Sequence, residues 1–311
     1  MLDKIKTIVI VGPTASGKTN LSIKIAKEFN GEIISADSMQ VYKGLEIASA
    51  APTKEEQRGI PHYFVGNKEP DSQFTVCDFV NEANEIIIDI NKRNKLPIIV
   101  GGTGLYIDSL INNIDFGINS TENIREELNK KVDEIGLDFL YKELLMIDKD
   151  YAEKISINDK KRIIRALEIY YSTGKTMTIR HEQSKNKEKL INPLLIGINF
   201  KNREILYDRI NNRVDLMLKN GLLEEAKKSY QNKNFCGAAQ AIGHKELYNY
   251  FENVCTLNEV SENLKMQTRR YAKRQLTWFR KNKDINWLYA DEDNILEKSI
   301  NLINKFLVKE K

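Results

Sequence analysis

Residues 12–19 read Gly-Pro-Thr-Ala-Ser-Gly-Lys-Thr, and this octet narrows the possible folds of the chain more than any other segment. It matches G-x-x-x-x-G-K-[ST]. Before it, the β-branched run Thr7-Ile8-Val9-Ile10-Val11 has the pattern of a buried strand; after it, Leu21, Ile25 and Phe29 recur at helical spacing over 20–29. A strand that feeds a glycine loop opening a helix builds an anion cradle. Loop N–H groups converge, the helix N-terminus favours negative charge, Lys18 reaches the outer phosphate and Thr19 offers a hydroxyl to Mg²⁺. Gly12, Pro13, Thr14, Ala15, Ser16, Gly17, Lys18 and Thr19 are therefore the expected site for a di- or triphosphate.

The alternation of strand and helix continues beyond the loop. Residues 32–36 read as a second strand that ends at Asp37. A helix is expected over 75–92, with Phe79, Val80, Ala83, Ile86, Ile87 and Ile90 inward. Residues 96–100 form another buried strand pattern with Pro97 near its start, followed by Gly101-Gly102-Thr103-Gly104, and 194–200 reads as a further core strand. This order predicts an α/β fold, a P-loop NTPase-like parallel sheet flanked by helices, with its ligand at the C-terminal ends of the strands. Between 116 and 191 the pattern turns helical and charged, with helices expected over 124–135 and 160–173, the second capped by Asn158 or Asp159 and stopped by Gly174. Because strand character resumes at Leu194, these residues read as a helical insertion domain in a core made of 1–115 and 192–311. Residues 184–189 read as a solvated loop, and the chain after Lys201 as mostly helical.

Composition excludes several classes. With 41% hydrophobic and 30% charged residues over 311 positions, the chain has the make-up of a soluble globular protein. No stretch approaches the ~20 apolar residues of a membrane span, and the short apolar run before the glycine loop is no signal peptide. Cys77, Cys236 and Cys255 are odd in number and far apart, which fits reduced thiols in the cytoplasm, and the three histidines show no zinc-site spacing. A net charge of +4 means that a nucleic-acid partner would be met by a local patch.

Four further segments bear on chemistry. Asp37, at a strand end facing the phosphate crevice, suits a general base or a Mg²⁺-organising acid; an Asx-turn explains it equally well. Gly101 to Gly104 permits close backbone approach and brings the Thr103 hydroxyl to the same crevice, although a strand-to-helix turn needing positive φ is the simpler account. The 96–100 strand ends in glycine where many P-loop ATPases carry a metal-binding aspartate, which counts against an ordinary ATPase. Lys161, Arg162 and Arg165 share one side of the 160–173 helix and Ile163, Ile164 and Leu167 the other, as a solvated face or a phosphate-backbone contact. Between Lys265 and Lys283 stand eight basic residues and no acid: Lys265, Arg269, Arg270, Lys273, Arg274, Arg280, Lys281 and Lys283, with Gln267, Tyr271, Gln275, Trp278 and Phe279 among them. Basic side chains mixed with amides and aromatics suit a nucleic-acid backbone carrying unstacked bases. Arg209 and Arg213, one helical turn apart, are placed either to clamp a phosphate or to pair with Asp208 or Asp215.

Seven segments in this order, GPTASGKT, SADSMQVYKGL, PIIVGGTGLYI, KRIIRALEIY, RVDLML, AIGHKEL and TRRYAKRQLTWFRK, resemble the tRNA dimethylallyltransferase (tRNA isopentenyltransferase) family over almost the whole chain. The resemblance implies transfer of a dimethylallyl group from dimethylallyl diphosphate to the exocyclic amine of the adenine just 3′ of the anticodon, with Mg²⁺. It implies that Thr14 to Thr19 contact the diphosphate, that Asp37 is the base for the amine, that Thr103 lines the channel and that Arg213 helps hold the pyrophosphate. It assigns contacts with the tRNA anticodon stem-loop to Asp37, Ser38, Met39, Gln40 and Thr103, to Arg125 and the helix segment Lys161, Arg162, Ile163, Ile164, Arg165, to Gln240, Ala241, Ile242, Gly243, His244 and Lys245, and to Arg270, Lys273, Arg274 and Gln275. The chain departs from the family at Ala51, where a lysine is customary, at Tyr63 of a usual His-His pair, and at His244, where tyrosine is customary; these bear on affinity more than on chemistry. Because the chain ends soon after its basic tail, the bacterial type without a zinc-finger extension is implied, with a monomer as the default. Two other readings stay open on sequence: a P-loop kinase of a nucleoside or small metabolite with the insertion as a lid, and a non-catalytic RNA-binding protein with a vestigial loop.

Overall fold

The structure, a computed structural model, describes residues 4–114, 122–185, 188–232, 235, 241–292 and 294–308. Among these, six strands form one parallel sheet: β1 (Ile5–Val11), β2 (Gly31–Ala36), β3 (His62–Tyr63), β4 (Leu96–Gly101), β5 (Ile191–Asn199) and β6 (Asn286–Tyr289), in the order β3-β2-β4-β1-β5-β6. β1 is central, and Ile8, Val9, Ile10 and Val11 are fully buried, as a parallel strand with helices on both faces requires. Ile8 and Ile10 pack with Ile25, Ile98, Ile196, Ile198 and Ile303 in one hydrophobic cluster.

The register decides where function sits. Val11 lies opposite Gly101 of β4 and Gly197 of β5, and Ala36 of β2 lies opposite Gly101. Three strands therefore end level, and the segments that follow them, beginning at Gly12, Asp37 and Gly102, emerge side by side at the C-terminal edge. Residues about 25, 65 and 90 positions apart in sequence become neighbours through backbone pairing.

Most expected elements are present, with shifted ends. The helix after the glycine loop is Lys18–Glu28, so it starts on the lysine itself, and β5 begins at Ile191, ahead of the expected 194. Helix Val76–Lys92 opens with a capping box in which Thr75 and Asp78 satisfy each other's backbone N–H groups, an arrangement worth about 1 kcal/mol. Helix Lys160–Thr173 is capped by Asp159, whose carboxylate accepts from the Arg162 N–H, and stopped by Gly174 in the left-handed region at φ 69°. Strands β3 and β6 were not expected; two and four residues at the sheet edges are too few to show a period. Of the expected loop at 184–189, the first two residues instead finish helix Met177–Lys185.

The chain divides into two compact units, residues 1–111 with 189–311, and residues 112–188. The second is all helix among the described residues, built on Leu128, Leu140, Leu144, Ile163, Ile164 and Leu167. Within it the fully buried Glu168 carboxylate accepts from Arg125 (2.9 Å) and Arg165 (2.9 Å).

Candidate active site

The glycine loop folds as a nest at the end of β1. Gly12 (φ 151°) sits where a Cβ would lie 2.5 Å from the Ile198 carbonyl oxygen, so no larger residue fits. Ala15 holds φ 61° and Gly17 φ 92°, which turns successive amides to one side. The first-turn N–H groups of helix Lys18–Glu28 have no partner within the helix. Lys18 Nζ donates to the Pro13 carbonyl (2.7 Å) beneath the loop, where burial and the nearby Arg213 charge pull its ammonium down to about 7, against the opposing pull of Asp37.

The long basic helix Leu257–Phe279 is tied to this loop through Gln275. That buried amide accepts from the Thr14 N–H (2.8 Å) and donates to the Gly102 carbonyl (3.0 Å). Both ends of the amide are bonded within the protein, so Gln275 is a strut between the helix and the loop; by the same bond the Thr14 N–H is turned away from a diphosphate. The glycines of 101–104 serve close approach and do not supply positive φ: a Cβ on Gly102 would lie 2.1 Å from Gln275 Nε2 and one on Gly104 2.3 Å from the Trp278 ring. Gly102→Ala is accordingly expected to drive the Gln275 amide out of its bonds to Thr14 and Gly102, costing about 1–3 kcal/mol in thermal unfolding and weakening pyrophosphate binding together. An unchanged melting temperature would remove the strut from the account.

Of the two readings of Asp37, the Asx-turn is present in the structure. Asp37 Oδ1 closes the turn, accepting from the N–H groups of Met39 (2.9 Å) and Gln40 (3.3 Å), while no donor among the described residues reaches Oδ2. Thr103 Oγ1 accepts from the Ser38 N–H (3.1 Å). Burial and the Asp37 charge push the Tyr271 phenol well above its ordinary value, so it remains a neutral donor.

Two cavities meet here. One, about 700 Å³, is lined by Ala15, Gly17, Lys18, Thr19, Arg58, Arg209 and Arg213 among others; it is the phosphate side. The other, about 330 Å³, contains Thr14, Asp37, Ser38, Met39, Tyr271 and Arg274, with apolar walls from Ala48, Val214, Met217, Ile242 and Leu264. Thr19, Ala50 and Arg213 line both. Helix Arg203–Lys219 delivers the two arginines: Arg209 Nε donates to the Ala15 carbonyl (2.9 Å) and Arg213 Nη2 to the Ser49 carbonyl (3.4 Å). The buried Arg213 Nε has no partner among the described residues, which suits an anion ligand. Asp215 pairs instead with Lys265 (2.8 Å), leaving Arg213 to the cavity.

Several expected tRNA contacts are relocated. Ile163 and Ile164 are core residues of the second unit, on the apolar face of their helix, with their side chains buried away from any RNA-facing surface. His244 is wholly buried. Gln40 spends its amide between Ser35 and the carbonyls of Ser49 and Ala50, and lines the smaller cavity only as part of its wall. Gln240 lies outside the described residues. Lys161, Arg162, Arg125, Arg270, Lys273 and Arg274 are exposed and Arg165 is half-buried, while Ala241, Ile242, Gly243 and Lys245 line the smaller cavity. Of the eight basic residues in the tail segment, Lys265 is bound to Asp215 and Glu262, and Arg269 to Asn211. Tyr271 was missed as a site residue; its spacing from Arg274 and Gln275, three and four positions on, was the available signal. Ser49 and Ala50 carried none.

Thr19 lines both cavities, and among the described residues its hydroxyl has no partner and no group of three His, Cys, Asp or Glu is placed to hold a metal. That donor set fits Mg²⁺ held largely by phosphate oxygens and water, with one or two protein oxygens.

A parallel sheet carrying a phosphate nest on its central strand, with no acid at the end of the neighbouring β4 and a second cavity at the nest's inner edge, defines a P-loop-type fold built for group transfer rather than for phosphoryl transfer. The chain belongs to the IPP transferase family, which residues 40–282 match. It is 47% identical over 308 residues to the tRNA dimethylallyltransferase of Thermoanaerobacter sp., covering 97% of this chain and 98% of that one. Its identity to the tRNA dimethylallyltransferase of Anoxybacillus flavithermus is 49% over 304 residues, covering 97% and 96%. Among solved structures it is similar to the tRNA isopentenylpyrophosphate transferase of Bacillus halodurans (TM-score 0.71, 43% identity, 98% and 96% of the two chains). It is also similar to a eukaryotic dimethylallyltransferase acting on tRNA (TM-score 0.84, 32% identity, 99% and 81%).

Proposed function

We propose that this enzyme transfers the dimethylallyl group of dimethylallyl diphosphate to the exocyclic amine of the adenine 3′-adjacent to the anticodon in tRNA, releasing diphosphate. The observation that carries this reading is the meeting of the two cavities at Thr19, Ala50 and Arg213, with the phosphate nest on one side and the unpartnered Asp37 Oδ2 on the other. The donor's diphosphate enters from the larger cavity and an extruded adenine from the smaller. The allylic carbon–oxygen bond breaks, its electrons leave with the diphosphate, a carbon–nitrogen bond forms and the amine proton passes to Asp37.

Charge builds on the departing diphosphate, and Lys18, the loop amides and Arg213 are aimed at it. Mg²⁺, held by Thr19 and diphosphate oxygens, would add positive charge at the same place. An adenine amine is a weak nucleophile, so the carboxylate helps only if the base is held out of its stack. The apolar wall of Met217, Val214 and Leu264 excludes water, which would otherwise capture the allylic cation. The exposed basic face of the long helix supplies the tRNA backbone contact, with the salt dependence that implies.

The kinase alternative gains no support from the relatives, and β4 ends in Gly101 with no metal-binding acid. Incubation with dimethylallyl diphosphate, Mg²⁺ and bulk tRNA, followed by nucleoside mass spectrometry, should yield an isoprenoid adenosine. Absence of that product alongside rapid ATP turnover would sink the proposal.

A further inference from the structure

Glu225 lies outside the cradle and lines neither cavity, yet its carboxylate is the point where both walls of the smaller cavity are fastened. Its Oε2 accepts from the Ile47 N–H (2.8 Å), and its Oε1 accepts from the Ala48 N–H (2.9 Å) and from His244 Nε2 (2.9 Å). Ile47 and Ala48 belong to the one-turn helix Glu46–Ser49, whose N-cap residue is Leu45, a side chain with no acceptor. Glu225, 178 positions further on, supplies the missing acceptor.

The short helix it holds leads directly to the reacting centre. The Ser49 carbonyl accepts from Arg213 Nη2 (3.4 Å) and, with the Ala50 carbonyl, from Gln40 Nε2 (3.3 and 3.4 Å). Ala50 then turns into the left-handed region at φ 46°, a strained position for alanine, and lines both cavities. On the other wall, His244 is 0% exposed and belongs to the segment whose residues Ala241, Ile242, Gly243 and Lys245 face the base side. Facing a carboxylate, its Nε2 is the donor, while the buried Nδ1 has no partner among the described residues.

We propose that Glu225 is a positioning residue for the transfer: one carboxylate that holds both walls of the base-side cavity and, through the Ser49 carbonyl, sets the Arg213 guanidinium against the diphosphate. The proposal rests on the phosphate-cradle reading above. Three donors converge on two oxygens, which only a carboxylate accommodates. A glutamine would offer a single acceptor oxygen and turn an NH₂ group toward at least one N–H donor.

The test is titration of inorganic pyrophosphate with Mg²⁺ against wild type, Glu225→Gln, Arg213→Ala and the double variant, with tRNA affinity and thermal melting measured on each. Glu225→Gln is expected to weaken pyrophosphate roughly tenfold while tRNA affinity stays within about threefold, since a small misplacement of a binding group is costly and the tRNA backbone is held elsewhere. Added to Arg213→Ala it should cost nothing more, because both act through one guanidinium. His244→Leu, which frees only the second wall, should keep pyrophosphate affinity, because the Glu225 bonds to Ile47 and Ala48 remain.

Wild-type pyrophosphate affinity in Glu225→Gln, or losses that multiply in the double variant, would overturn the positioning role. If the glutamine variant does not fold, Glu225→Asp, which keeps the charge but shortens the reach, is read by the same criteria. Failure of the wild type itself to bind pyrophosphate would sink the cradle reading, and this role with it.

Discussion

Asp37→Asn should lower single-turnover dimethylallyl transfer by about 10²–10⁴ while leaving tRNA affinity nearly unchanged. Asparagine is the informative substitution because its Oδ1 can still accept from Met39 and Gln40, so the turn that shapes the base-side cavity survives. What is lost is the second oxygen, which has no donor among the described residues and is the one that the proposed transfer uses to take the amine proton. Alanine would remove the turn and the base together and confuse the two. Asp37 is also the charge that favours the Lys18 ammonium, so diphosphate affinity belongs in the same experiment. A rate within tenfold of wild type would remove Asp37 from the chemistry.

Lys18→Ala is expected to weaken pyrophosphate binding by about 10²–10³, the cost of deleting a buried charge that faces the ligand. The wild-type lysine should also leave a pH signature. Its ammonium is held near 7 in the free site, and an arriving diphosphate raises that value by adding negative charge next to it. Below pH 7 the lysine is already protonated and binding needs no proton on this account. Above pH 7 binding takes up a proton, and affinity falls as pH rises, by up to about tenfold per unit, until the pKa of the bound state is reached. Calorimetric titration at pH 8 in two buffers of different ionisation enthalpy measures the uptake. The difference between wild type and Lys18→Ala isolates this residue from protons exchanged by the ligand; equal uptake in the two proteins would show that Lys18 is not the group involved.

The phosphate nest was legible because its chemistry is local. Glycine spacing, the lysine and the threonine act within eight consecutive residues, and the strand before them and the helix after them carry their own periodicities. The parallel sheet was legible for a similar reason, since its inner strands are apolar on both faces. The basic helix was visible as a run of charge, but its division of labour was not: Gln275 and Phe279 face inward, Lys265 and Arg269 are paired, and only part of the cationic set remains on the surface. Helical spacing says which residues share a face; it does not say which neighbour that face meets.

From the sequence alone came the fold class, the cradle and Asp37 as a candidate, because a buried strand, a glycine turn and a helix start are each dictated by a few adjacent side chains. Only tertiary structure decided that β1, β2 and β4 end level, that Asp37 Oδ1 closes its turn, that Gly102 makes room for Gln275, and that Glu225 caps the Ile47 and Ala48 N–H groups from 178 and 177 positions away. These are contacts between residues up to 261 positions apart. They depend on the register and packing of the whole sheet, which no local pattern encodes.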